Sequence, residues 1–213
     1  MQGAPLVLCI ALDANTGKEV WAVPTGVAKF QGGGDSGAPD NKGGDGPRST
    51  PAVSGDKVYI YNSAMVLLCL DAATGKQLWK HDIQAEYNGQ NIGWSSAMSP
   101  VLDKGLVLVG GGGAGAALLA FKQDTGALTW KSGDEKMTHA TPVITTLEGV
   151  RQAIYLMESG LVSAQVSDGK DLWKFPFPYR TATACSPVVC GDTIFCTAGY
   201  GVGAAACNVK KTG

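Results

Sequence analysis

Arg48 stands three residues before Pro51, and His139 stands three residues before Pro142. Both prolines open the same kind of short apolar run, Thr50-Pro51-Ala52-Val53 and Thr141-Pro142-Val143-Ile144. The step recurs at Ser99-Pro100 and Ser186-Pro187, where the residue three positions upstream is Ala97 or Ala184. A guanidinium and an imidazole at equivalent places can converge on a carboxylate or a phosphate. Arginine offers a planar fork of donors, and histidine changes charge near neutrality. The alternative is that each side chain hydrogen-bonds the backbone of a neighbouring element, as partly buried polar groups generally do. Trp94, Lys136 and Tyr200, with Tyr87, lie in connecting segments near the same strands and complete the candidate ligand-binding set. Trp94 can instead cover a channel mouth.

Other chemistry is thinner. The segment from Gly32 to Gly46 is glycine-rich and spaces Asp35, Asp40 and Asp45, the oxygen donors calcium prefers. Its spacing is not that of an EF-hand and no glutamate closes it, so a solvent-facing loop is the competing reading. Gly110 to Gly115 satisfies G-x-G-x-x-G, but an apolar strand-like run, Ala117 to Phe121, follows it. Dinucleotide binding needs a helix there, whose N-terminus meets the pyrophosphate. A hairpin turn is expected instead. With only two histidines, and His81 ending an outer strand, no Ser-His-Asp set assembles. The six cysteines, at 9, 69, 185, 190, 196 and 207, include neither an adjacent pair nor a C-x-x-C. Spacing leaves open whether two of Cys185, Cys190 and Cys196 pair. Cys69 and Cys207 both stand six before a repeat glycine and read as small buried hydrophobes.

The elements that must position these residues come from a phrase repeated along the chain. It runs Asp13-Ala14-Asn15-Thr16-Gly17 to Trp21, Asp71-Ala72-Ala73-Thr74-Gly75 to Trp79, Asp124-Thr125-Gly126 to Trp130, and Ser167-Asp168-Gly169 to Trp173. The tryptophan always falls four residues after the glycine, and the Ser/Thr-Pro step keeps the same beat. Two marks recurring in fixed order define a repeat protein. Composition agrees. The 213 residues are 45% apolar, with 30 glycines and 10 prolines separated by β-branched and aromatic runs, which suits short strands and many turns. The 17 basic and 18 acidic side chains nearly cancel, so no nucleic-acid-binding or lipid-binding face is implied. No segment approaches the ~18 apolar residues of a membrane-spanning helix. Pro5 to Leu12 is apolar and contains Cys9, but it lacks a positive leader and a small residue before the cysteine, so a strand is expected rather than a signal peptide.

Each repeat reads as four short antiparallel strands with no helical period, that is, one blade of a β-propeller. The expected layout is one all-β segment over 1–213. It has a partial blade at 1–23, a glycine-rich loop at 24–49, whole blades at 50–82, 95–131 and 139–175, and a partial blade at 183–213. Neither end carries the polar capping sequence that terminal repeats usually have, so the expectation is an arc of a larger ring.

The phrase Ala-x-Asp-x-x-Thr-Gly-x-x-x-Trp, matched by Ala11 to Trp21 and with one substitution by Cys69 to Trp79, resembles the tryptophan-docking motif of the PQQ-binding-like (quinoprotein-like) β-propeller repeat family. Lys122 and Gln165 depart from it where the aspartate belongs. The resemblance implies that Trp21, Trp79, Trp130 and Trp173, with Gly17, Gly75, Gly126 and Gly169, dock neighbouring blades. It also implies a bacterial, periplasmic or otherwise exported protein. Its leading functional implication is a non-catalytic scaffold or binding platform that takes protein partners or a small ligand on one propeller face and needs no cofactor. The alternatives are a quinoprotein-type alcohol or sugar dehydrogenase, using PQQ and calcium, and a small-ligand or metal-binding sensor. The dehydrogenases carry a vicinal disulfide, and this sequence has no Cys-Cys.

Overall fold

The computed structural model describes residues 6–28, 47–93, 95–179 and 183–210. Asp35, Asp40, Asp45 and Trp94 lie outside the described residues. Among the described residues, seventeen strands form five antiparallel sheets. The first pairs β1 (Leu6–Leu12) with β2 (Glu19–Val27). The second runs through β3 (Ala52–Ser54), β4 (Lys57–Tyr61), β5 (Val66–Asp71) and β6 (Gln77–Asp82). A third contains β7 (Val101–Asp103), β8 (Leu106–Gly113), β9 (Ala116–Lys122) and β10 (Leu128–Ser132). The fourth contains β11 (Val143–Leu147), β12 (Val150–Met157), β13 (Gly160–Gln165) and β14 (Asp171–Pro176). The last holds β15 (Val188–Cys190), β16 (Thr193–Ala198) and β17 (Gly203–Asn208). Each sheet is a meander, and the first strands touch in series, β3 to β7, β7 to β11 and β11 to β15. The sheets are therefore successive sectors of a partial β-propeller, with the proline-led strands innermost.

Burial follows from this stacking. Strand β1 alternates between exposed and half-buried because only one of its faces meets another sheet. β5 and β9 are sandwiched and read as near-continuous apolar runs, with Leu67, Cys69 and Leu70 and residues 116–121 all buried. Val58, Ile60, Leu68 and Leu70 pack on Cys9, Trp21 and Val23 of the first sheet. A larger cluster around Tyr59, Tyr61, Leu108, Phe121 and Tyr155 fills the middle of the arc, and Ile154, Leu156 and Leu161 meet Ile194 and Cys196 at its far side. None of the six cysteines is disulfide-bonded. Among the described residues, no helix is long and apolar enough to cross a membrane.

The tryptophans tie the outer rim together. The indole N–H of Trp21 donates to the Ala72 carbonyl at 2.9 Å, that of Trp79 to Gln123 at 3.0 Å and that of Trp130 to Val166 at 2.8 Å. Each acceptor lies in the turn of the following sheet, and each ring covers the repeat glycine of that turn. A Cβ added to Gly75 would stand 2.8 Å from Trp21, and one on Gly126 would stand 2.8 Å from Trp79. One on Gly169 would press on Trp130. Trp173 differs, donating at 2.7 Å to Gln152 of its own sheet. The turns close on Asp13 and Asp71, whose Oδ1 atoms accept from the hydroxyl and N–H of Thr16 and Thr74. These bonds, the hydroxyl contact foremost, hold both carboxyls below the usual range. Where Lys122 and Gln165 replace the aspartate, the backbone bonds from Gly126 and Gly169 still close the turn.

Two local features differ from the sequence reading. The segment after β6 is not all loop, since α1 (Ile83–Tyr87) forms there. The Asp82 carboxylate caps the Ala85 N–H, Glu86 accepts from the Asp82 N–H, and Asn88 ends the turn at φ 57°. The inner strands also begin after their prolines, at Val101, Val143 and Val188, because a proline has no N–H to give a ladder.

The glycine seats give a sharp comparison. Gly17 and Gly75 have nearly the same φ, 68° and 73°, but the space around Gly17 is open to 4 Å. Alanine at position 17 is expected to cost about 1–2 kcal/mol for the left-handed backbone alone. Alanine at 75 should cost about 1–3 kcal/mol more, for overpacking against Trp21. Denaturant unfolding of the two variants measures the difference, and equal costs would mean that the indole does not need the seat.

Candidate binding site

The inner strands are joined where they begin. The Thr50 N–H donates to Ser99 Oγ at 2.8 Å, and the Ser99 N–H donates to Thr141 Oγ1 at 2.9 Å. The Ser99 and Thr141 hydroxyls, each before a marker proline, thus bridge to the preceding sheet. The bridging sets the entry segments of sheets two, three and four side by side, and with them the positions held by Arg48, Ala97 and His139.

Arg48 reaches across to the next segment, its Nη1 donating to the Ser95 carbonyl at 3.5 Å. The His139 N–H donates to the Thr183 carbonyl at 3.1 Å, fixing its segment against the following one. Its ring is half-buried, and its pKa lies below the ordinary histidine value, first because burial penalises the imidazolium and second because the Arg48 charge opposes it. Arg48 and His139 are therefore brought within each other's field, with Ala97 between their segments leaving room. Of the other charged groups close in sequence or contact, Lys136 and Glu158 pair with each other at 3.4 Å on the exposed side.

A third group was not foreseen. In sheets two, four and five the entry-segment hydroxyl caps a carbonyl of the second strand: Ser49 on Tyr61, Thr138 on Leu156, Thr183 on Thr197. The equivalent carbonyl in sheet three is that of Gly110, and there the Tyr61 hydroxyl of sheet two takes it, at 2.7 Å. Ser96, in the place of Thr138 and Thr183, is 1% exposed, and its hydroxyl has no partner. It follows Ser95, whose carbonyl holds Arg48.

Other candidates part company with this cluster. Lys136 is engaged by Glu158. Tyr200 is 75% exposed in the turn between β16 and β17, at φ 56°. Tyr87 packs its ring on Phe121 at 5.6 Å. His81, expected only to end a strand, is a latch. Its Nδ1 lies 2.6 Å from Glu86, its Nε2 lies 2.7 Å from the Gly126 carbonyl, and its ring stacks on Phe121 at 4.8 Å. The glycines from 110 to 113 are explained by packing. Gln90 N–H binds the Gly111 carbonyl at 2.8 Å, and a Cβ on Gly113 would strike the Asn88 carbonyl. Among the described residues, no three His, Cys, Asp or Glu side chains come together as a metal site.

Fans of antiparallel strands sharing one axis, with Trp21, Trp79 and Trp130 each laid on the next turn, define an arc of a β-propeller built from PQQ-type repeats. The family model described as outer membrane protein assembly factor BamB matches residues 7–213, and the chain belongs to that family. In structure it is similar to BamB from Moraxella catarrhalis, with a TM-score of 0.61 at 22% identity, covering 93% of this chain and 51% of that one. It is also similar to a europium-containing methanol dehydrogenase, with a TM-score of 0.56 at 16% identity over 81% of this chain and 39% of that one. These two likenesses concern the fold. In sequence it is 32% identical over 141 residues to quinohemoprotein alcohol dehydrogenase ADH IIB of Pseudomonas putida, covering 62% of this chain and 19% of that protein. It is 36% identical over 131 residues to the dehydrogenase subunit of the quinone-dependent alcohol dehydrogenase of Gluconobacter oxydans strain 621H, covering 57% and 16%. The chain thus spans less than a fifth of the length of these two relatives.

The lowered pKa of His139 carries a sign. Unfolding returns the ring to about 6.5, so between the two values the unfolded chain binds more protons. The stability linked to neutral His139 is complete above about pH 6.5 and is lost as the pH falls through the folded value. Wild type is expected to lose unfolding free energy between pH 7 and pH 5 more steeply than His139→Gln. NMR titration should find the ring below 6.5, and still below it in Arg48→Met because burial is the larger cause. An ordinary value in the wild type would contradict the placement.

Proposed function

We propose that this chain is part of a non-catalytic, exported propeller that serves as a binding platform, engaging a partner at the channel end where its inner strands begin. The observation that carries the reading is the placement of Arg48 and His139 on entry segments at the same end of the sheets, with Arg48 reaching the Ser95 carbonyl and its charge acting on the His139 ring. Both side chains can donate to an acceptor on a partner. Membership of a family named for an assembly factor supports a protein partner and a periplasmic setting. The near-neutral charge gives no support to nucleic acid.

The dehydrogenase reading rests on sequence likeness to the two alcohol dehydrogenases. It would require a calcium site and a place for the quinone. The described residues assemble no oxygen-donor trio for the ion, and the six cysteines are separate in sequence. Among the described residues, no trio of ligating side chains fits the ion. The purified chain, incubated with PQQ and calcium and freed of excess by gel filtration, is expected to retain no quinone absorbance and to reduce no dye with ethanol or glucose. Calcium-dependent dye reduction would replace the platform with a dehydrogenase.

A further inference from the structure

We propose that the open face of the first sheet and the open face of the fifth are the two halves of one joint, made between two copies of this chain, so that two arcs close head to tail. The inference concerns the flanks of the arc and does not depend on the platform at the channel end. In sheets two, three and four the second and third strands pair Tyr59 with Cys69, Leu108 with Ala120 and Ile154 with Ser163 on the face toward the following sheet, and all six residues are buried. The same rung in sheet five pairs Phe195 with Ala206. There Phe195 is 43% exposed, and Val188, opposite it on β15, is 57% exposed.

The other half lies on β1. Ala11 faces Trp21 as Cys69 faces Trp79, so Ile10 and Leu12 hold the places of Leu68 and Leu70. Leu68 and Leu70 are buried against the first sheet, whereas Ile10 and Leu12 are 49% and 60% exposed, and Leu6 and Leu8 extend the row. The arc joins a following face to a preceding face four times within itself, once between each pair of successive sheets. What would cover β1 is therefore a sheet of this same repeat, and a second copy carries one, uncovered, at its other flank. Strands β1, β15, β16 and β17 have no charged side chain, and β2 has only Glu19 at its start, so little charge must be desolvated. A head-to-tail contact closes into a ring or runs on as a filament according to the turn made by each copy. This chain spans 51% of the BamB fold to which it is similar, so two arcs supply about one such fold and the contact closes after two. Gly17 receives no indole in this joint, since no outer strand follows β17 among the described residues, and the joint is weaker than those inside the arc.

The test is sedimentation velocity of the 213-residue chain from low to high micromolar concentration. The expected species has twice the 21.9 kDa mass at high concentration and dissociates on dilution. Ile10→Lys and Phe195→Lys each put a charge into both joints of the pair, because every joint uses one face of each kind. Each should weaken association about 100-fold or more. Both positions are exposed in the single arc, so the melting temperature of dilute protein should be unchanged. Mixed in equal amounts, the two variants regain one unaltered joint, and the species of twice the mass should return. A monomer at every concentration would overturn the proposal and mean that something other than a second copy covers these faces. Growth beyond two copies would overturn it too, as would a pair that survives Phe195→Lys, which would place two first sheets in contact.

Discussion

Everything in this arc depends on an indole lying over a glycine. A sheet of four short strands exposes apolar side chains on both faces and cannot bury either alone, so the stability of the fold is the stability of its sheet-to-sheet joints. At the first three joints of the described chain, a tryptophan of ~150 Å² or more is laid on the next turn and hydrogen-bonded to a carbonyl within it. The glycine answers two demands together. The turn needs a positive φ, and the indole needs the absence of a Cβ. The second demand is the stricter, because Asn or Asp can meet the first but not the second. The phrase therefore tolerates Lys122 and Gln165 at the aspartate and keeps its glycine and tryptophan.

The inner rim is held differently. Hydroxyls before the marker prolines bridge neighbouring strands, and the carbonyl at the mouth of each second strand is always capped. Four donors serve four such carbonyls, but they are not all of one kind. Tyr61 reaches from sheet two to Gly110 and takes the carbonyl that Ser96 would otherwise cap. A packing choice at the sheet-to-sheet core thereby frees a polar group at the channel end. One interaction, made for cohesion, changes the chemistry of the entry segment.

Legibility in the sequence follows the same division. The outer joints repeat, so strands, turns and the fold class could be read from the phrase, and the equivalence of Arg48 and His139 from the prolines. The helix α1 was hidden because five residues carry no period. Its signal was the pair Asp82 and Glu86, a capping arrangement visible only to a reader looking for helix starts. His81 looked like a strand end, since its partners, Glu86 and Gly126, come from α1 and from a turn of another sheet. Ser96 could not have been singled out at all. Its distinction is a bond it does not make, and the residue that takes its place is Tyr61, in a different repeat. The glycine run at 110 to 115 was legible as a turn but not as a seat for residues 88 to 90.

Repetition and function occupy different positions in this chain, and the separation has a physical cause. The outer joint fixes the distance and tilt between sheets without involving any residue at the channel end. The positions three before the prolines are consequently free to carry Arg48, Ala97, His139 and Ala184 on one unchanging frame. Two alanines are as informative there as the two polar residues. The inner rim can therefore vary its side chains at places that the rigid outer rim holds in register.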